Sequence, residues 1–242
     1  MCTRYLCIVS VRPCKVWCDF LNEIKTYKIV VIVDDNNFDL TGCKNYYKNI
    51  TFVQIKNETC QLHGYIDSSF LLNKLISGWD KALYYFGVEN VDHEFIWFME
   101  EDVFFYNEDT LVQIDQRYID DDLLSNKYNE SNGDKNTWHW SFIDIKYSPP
   151  YYCAMVCAVR FSKKMMECIH NYTLEHGTLG FIEALFPTVA KQNTLKYTVI
   201  SELAEIHHSY FFTGKNVGKK NIYHPVKNVN KHIEFRKLLE KR

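Results

Sequence analysis

The sequence predicts an α/β protein whose mixed, mostly parallel central sheet is flanked by helices. Three observations predict it. Short β-branched and apolar runs alternate with stretches of helical spacing through the first half of the chain. The strand-like runs are apolar throughout rather than every second residue, as a sheet covered on both faces requires. Two of them end in carboxylates, which marks where the strands leave the core.

Taken in order, "YLCIVSVR" (5–12) reads as a first strand and "VWCDFLNEIK" (16–25) as a helix. "YKIVVIVDD" (27–35) is a second buried strand ending in two Asp, and "ITFVQIK" (50–56) is a third. "SSFLLNKLISGWDKALYYFGV" (68–88) carries apolar residues at helical spacing and stops near Gly87. "EFIWFMEEDVFF" (94–105) is the fourth strand. In the second half, "TLVQIDQRYIDDDLLSN" (110–126) reads as an acidic helix and "KYNESNGDKN" (127–136) as a surface loop. "WHWSFIDIKYSPPYYCAMVCAVRFS" (138–162) reads as two strands around a Pro-Pro turn. Helices are predicted over 163–177 and 180–192, a late strand over 196–203, and a tail rich in Lys and Arg from Lys215 to Arg242. No internal repeat or linker divides the chain.

The 242 residues suffice for one large core. A formal net charge of −2 gives no electrostatic reason to expect a nucleic-acid partner. No run reaches the roughly 18 apolar residues of a membrane span. The start, "MCTRYLCIVSVRPCKVWCDF", lacks the pattern of a secretory signal, so the nine cysteines are read as reduced thiols of a cytoplasmic protein. Cys14 and Cys18, like Cys153 and Cys157, stand four apart; that gap is possible for zinc, but structural use is the preferred reading.

The chemistry gathers at strand ends. In an open parallel sheet, ligands bind beyond the carboxyl ends of the strands. In "FIWFMEEDVFF" a wholly apolar run meets Glu100, Glu101 and Asp102, then resumes. Side chains alternate along an extended chain, so Glu100 and Asp102 share a side and Glu101 points opposite. Two hard oxygen ligands on one side can share Mg²⁺ or Mn²⁺, an ion that is commonly completed by substrate phosphates.

The order of these elements, together with "VDD", "SGWDKALYYF", "FMEEDVFF", "GFIEALFPTVA" and "YHPVK", resembles the glycosyltransferases of GT-A (nucleotide-diphospho-sugar transferase) fold. "FMEEDVFF" stands where that family has a D-x-D motif, with Glu100 in place of the first Asp. The resemblance implies a single domain over 1–242. Residues 1–106 would be its nucleotide-sugar-binding half, and 107–242 its acceptor-binding half with a basic tail. It implies a UDP- or GDP-sugar donor, a glycan or other hydroxyl acceptor, and Mn²⁺ or Mg²⁺ held by Glu100, Asp102 and His224. Ser10 and Arg12, Asp34 and Asp35, Asp80 and Lys81, Glu101 and Lys227 would lie against the nucleotide sugar. Glu183 opens an apolar helix. Desolvation there would raise its pKa toward that of a general base, and the family places such an acid beside the acceptor hydroxyl. Inversion of configuration is expected, with Asp144 next in line as base. Trp138, Trp140, Tyr151 and Tyr152 could stack on sugar faces, although core packing is the commoner fate of such residues.

Two other readings compete. A nucleotidyltransferase on a related sheet could use the same carboxylates and cation, but "VSVRPCKVW" has no Gly-rich phosphate loop. A non-catalytic carbohydrate- or partner-binding module on a degenerate transferase fold is the other.

Overall fold

The computed structural model describes residues 3–69, 72–89 and 91–242. Four parallel strands form one side of the main sheet: β1 (Arg4–Ser10), β2 (Lys28–Val33), β3 (Ile50–Val53) and β4 (Phe95–Glu100). Helices α1 (Lys15–Asn22), α2 (Thr41–Tyr46), α3 (Asn57–Leu62) and α4 (Gly78–Val88) connect them. The later elements are α5 (Glu108–Arg117), β5 (Leu123–Ser125), β6 (Tyr128–Ser131), β7 (Tyr151–Ala154), β8 (Ala158–Ser162), α6 (Lys163–His176), α7 (Ile182–Gln192), β9 (Tyr197–Val199), β10 (Glu205–Ile206), β11 (Tyr223–His224) and α8 (Val229–Glu240). The seven-stranded order is β3-β2-β1-β4-β8-β5-β9, with β8 antiparallel to both of its neighbours. The pairs β6-β7 and β10-β11 stand apart from it. The architecture is α/β, mixed and mostly parallel, covered by helices, and GT-A-like.

The alternation along β4 explains the layers. Ile96 and Phe98 point to one face and pack with α4, α6 and α7. Trp97 and Met99 point to the other and pack with α1 and α5. Each such fully buried side chain contributes about 1.5–3 kcal/mol through lost water contact. A third cluster, built on Phe104, Tyr223, Phe235 and Leu239, seats α8 against the segment that follows β4.

Several expected boundaries move. The helix expected over 68–88 starts only at Gly78, because Ser77 and Asp80 form a reciprocal capping box. Phe70 and Leu71 of that stretch lie outside the described residues. The fourth strand ends at Glu100, where the chain turns; Phe104 then makes an isolated bridge to Tyr223. The expected helix over 110–126 stops at Arg117, and Leu123–Ser125 becomes β5, since those apolar residues are needed between β8 and β9. Part of the expected surface loop forms β6, paired with β7. Both strands expected around Pro149 and Pro150 in fact follow them. The late strand is cut to Tyr197–Val199 before a 3-10 turn at Ser201–Leu203.

The second half also buries charge. Arg160, in the middle of β8, donates to Asp115 Oδ1 at 3.2 Å and to the carbonyls of Tyr118 and Asp121. Asp115 also accepts from Tyr27 and Trp97. Burial raises the pKa of this carboxyl, while those donors pull it down. No described helix is long and apolar enough to cross a membrane.

Candidate active site

The site is assembled at the carboxyl end of β4 by pairing on both sides. In the parallel pair, Val9 of β1 stands beside Glu100, and the Glu101 amide donates to Val9 O at 3.1 Å. On the antiparallel side, Met99 faces Ala158, and the Glu100 amide donates to Cys157 O at 2.9 Å. Glu100 and Cys157 are therefore cross-strand neighbours, whose side chains share a face. The segment after β4 is clamped to β11. Phe104 and Tyr223 exchange two backbone hydrogen bonds of 2.8 Å, and Val226 N donates to Asp102 O at 2.7 Å. This pairing delivers His224, buried, to the acidic cluster.

His224 Nδ1 donates to His207 O at 2.7 Å, which turns Nε2 toward the carboxylates. Nε2 lies 3.2 Å from Asp102 Oδ1 and 3.5 Å from Glu100 Oε2. Burial alone would lower the imidazole pKa, but hydrogen bonds to Asp102, Cys157 and Glu100 overcome it and hold the group well above its usual value. Glu100 Oε1 accepts from Trp79 Nε1 at 2.9 Å. Trp79 can sit so close because Gly78 precedes it: a Cβ at Gly78 would come within 2.6 Å of Val9 Cγ1. Glu101 turns the other way, accepting from the Ser10 hydroxyl, while its carbonyl accepts from the Trp17 indole.

Two clefts meet at this cluster and share Trp79, Glu100, Asp102 and Lys227. The first, about 550 Å³, runs over the ends of β1 and β2 past Ser10, Arg12, Asp34 and Lys74. The second, about 720 Å³, is lined by Phe142, Cys157, Phe181, Glu183 and His208. Glu183 is half-buried in the first turn of α7. Burial, with repulsion from Glu100 and some relief from His224, pushes its carboxyl up to about 7.

The expected residues therefore divide. Glu100, Asp102, His224 and Lys227 come together, with Glu183 on the far cleft and Ser10, Arg12 and Asp34 along the near one. Asp80 and Lys81, expected against the nucleotide, do not line either cleft. Asp80 is fully buried and bonded to Ser68 and Ser77, and burial raises its carboxyl to about 6. Lys81 is fully buried beneath Asp34, donating to Asp34 O at 2.5 Å and to Asn36 Oδ1 at 2.8 Å. Asp35 pairs with Arg12 at 2.7 Å, also outside the clefts. Asp144 is exposed and pairs with Lys146. Trp138 is 41% exposed, whereas Trp140 is buried.

Sequence reasoning left Cys157 among the structural thiols. Ligand atoms of Glu100, Cys157 and His224 all lie within 4.8 Å of one another. The signal that could have revealed it is strand pairing, which spacing within the chain does not encode. The eight described cysteines are all free thiols. A carboxylate, an imidazole oriented through its other nitrogen, and a thiol make a donor set that fits a divalent cation, and Asp102 Oδ1 stands 3.2 Å from that imidazole.

No family model matches the chain, and a search of curated proteins finds no match. Similarity appears with solved structures. A 4-diphosphocytidyl-2C-methyl-D-erythritol synthase from Anaerococcus prevotii aligns over 98% of this chain and 96% of its own, at 13% identity and a TM-score of 0.48. A mannosyltransferase from S. cerevisiae aligns over 78% of this chain and 65% of its own, at 9% identity and a TM-score of 0.40. Mouse xyloside xylosyltransferase 1 aligns over 82% and 85%, at 6% identity and a TM-score of 0.40. Likenesses of this degree concern the path of the chain and assign no activity.

Proposed function

We propose that the protein is a divalent-cation-dependent transferase acting on a nucleotide-activated substrate, with transfer of a sugar to a hydroxyl acceptor as its reaction. One observation carries the reading: the Glu100, Asp102 and His224 cluster lies at the junction of two clefts, one offering Arg12, Lys74 and Lys227, the other a carboxylate of raised pKa. A donor diphosphate belongs beside the cations and the acidic pair, and an acceptor beside Glu183. In the reaction, the acceptor hydroxyl attacks the anomeric carbon and Glu183 takes its proton. Lys227 and Lys74 face the departing diphosphate. The ion supplies charge neutralisation to that leaving group when bound. Asp34, held by Lys81, lines the near cleft where a ribose or base would rest.

Nucleotidyl transfer is the second reading. A 4-diphosphocytidyl-2C-methyl-D-erythritol synthase and a 2-C-methyl-D-erythritol 4-phosphate cytidylyltransferase both align over more than nine-tenths of either chain, a likeness of fold alone. The same cluster would then face the α-phosphate of a nucleoside triphosphate. Incubation with panels of nucleotide sugars and of nucleoside triphosphates, each with Mn²⁺ or Mg²⁺, separates the two. Released nucleoside diphosphate supports sugar transfer, and released pyrophosphate supports nucleotidyl transfer. Release of neither, with acceptors of both kinds present, rejects the transferase reading.

A further inference from the structure

We infer that Cys157 is a direct ligand of the cation bound by Glu100 and His224, giving the site a sulfur donor and a preference for thiophilic divalent ions over Mg²⁺. The inference rests on the cation reading above. It starts from backbone rather than from side-chain placement. The Glu100 amide bonds to Cys157 O, so the two residues are locked opposite each other across the β4-β8 pair and present their side chains to one face. His224 reaches the same point from β11, and its Nδ1–H is already committed to His207 O. An imidazole fixed through one nitrogen to a carbonyl, with the other aimed at acidic groups, is the arrangement that metal-bound histidines adopt.

Distances agree. Donor atoms around a single ion with bonds of about 2.0–2.3 Å sit roughly 3.5 Å apart. The carboxylate, thiol and imidazole atoms all lie within 4.8 Å of one another, so side-chain motion of about 1 Å closes the set. Carboxylate oxygen alone suits Mg²⁺, which rarely takes sulfur. A thiolate beside an imidazole suits Zn²⁺, Co²⁺ or Cd²⁺. Binding replaces the thiol proton with the metal–sulfur bond and the Nε2 proton of His224 with the metal–nitrogen bond, and both protons leave to solvent.

Cobalt titration of the metal-free protein tests this without turnover. The wild type is expected to develop visible bands and a near-ultraviolet thiolate-to-cobalt band. Cys157→Ser should keep the visible bands and lose the near-ultraviolet one. Replacing the half-buried Cys14 and Cys43 by Ser should leave both. Cd²⁺ affinity should fall at least roughly tenfold in Cys157→Ser, since loss of a ligand costs no less than loss of an outer partner. Mg²⁺ affinity should stay near wild type. Visible bands without the near-ultraviolet band in wild type, or a band unchanged by Cys157→Ser, overturn the inference and leave the cation reading standing. No cobalt spectrum at all overturns both. If Cys157→Ser does not fold, cadmium resonance on the wild-type chain decides: a shift in the oxygen–nitrogen range, without sulfur, rejects the ligand.

Discussion

The ammonium of Lys81 lies 2.8 Å from Oδ1 of Asp34, while almost none of the lysine side chain reaches solvent. A cation so placed works as a foundation for the carboxylate above it rather than as a hand for phosphate. Removing one partner of a buried pair strands the other's charge. Lys81 would keep two neutral acceptors, Asp34 O and Asn36 Oδ1, so the loss in Asp34→Asn should fall below the full buried-pair range, at about 2–3 kcal/mol. Urea unfolding of wild type and variant measures it.

The acidic pair should couple nucleotide to cation. Calorimetric titration of UDP or GDP is expected to show tighter binding with Mn²⁺ than without, and Asp102→Ala should remove most of that difference. Equal affinities with and without Mn²⁺ in the wild type would count against a cation bridge.

Glu183 carries the acid–base prediction. A general base acts when deprotonated, so acceptor transfer should rise with pH through about 7 and then level off. Glu183→Gln should lose that rise and at least about 100-fold in turnover, with donor affinity retained. Stability runs the opposite way. The folded protein holds the proton more tightly than the unfolded chain, so this group lowers stability as pH climbs from about 4.5 toward about 7. Thermal melts should therefore show Glu183→Gln equal to or more stable than wild type at pH 8.

His232 gives a stability prediction with the other sign. It is fully buried between Trp17 and Phe104, its Nε2–H donates to Val226 O at 2.8 Å, and its Nδ1 has no partner among the described residues. Burial depresses its pKa to about 4. The neutral ring favours the fold above about 6.5, and this contribution is lost as pH falls toward about 4, with a slope approaching ~1.4 kcal/mol per pH unit. Melting temperatures from pH 7 to pH 4 should fall less steeply in His232→Phe than in wild type.

What the sequence made legible was local. The apolar run of β4 and the acids that end it were readable because burial on both faces leaves a continuous hydrophobic signature. The start of α4 was readable too, from Ser77 with Asp80 three residues on, yet apolar spacing upstream overrode that signature. Lys81 was expected against the nucleotide sugar because side-chain type says nothing about which strand end lies above it. Strand β8 was expected, but its place beside β4 was not, since sheet order is decided by packing between distant segments. That one neighbour decides Cys157, and with it the donor set of the site.

The order in which the cluster's members occur along the chain has a consequence for synthesis. Glu100 and Asp102 emerge from the ribosome first, Cys157 later, and His224 only after β9, the last strand of the main sheet. A nascent chain that stops short of Tyr223 holds every strand of the main sheet but has neither the imidazole nor the strand that fastens the Asp102 turn. The cluster is thus completed only after the scaffold has been translated, and an abandoned chain lacks its last member.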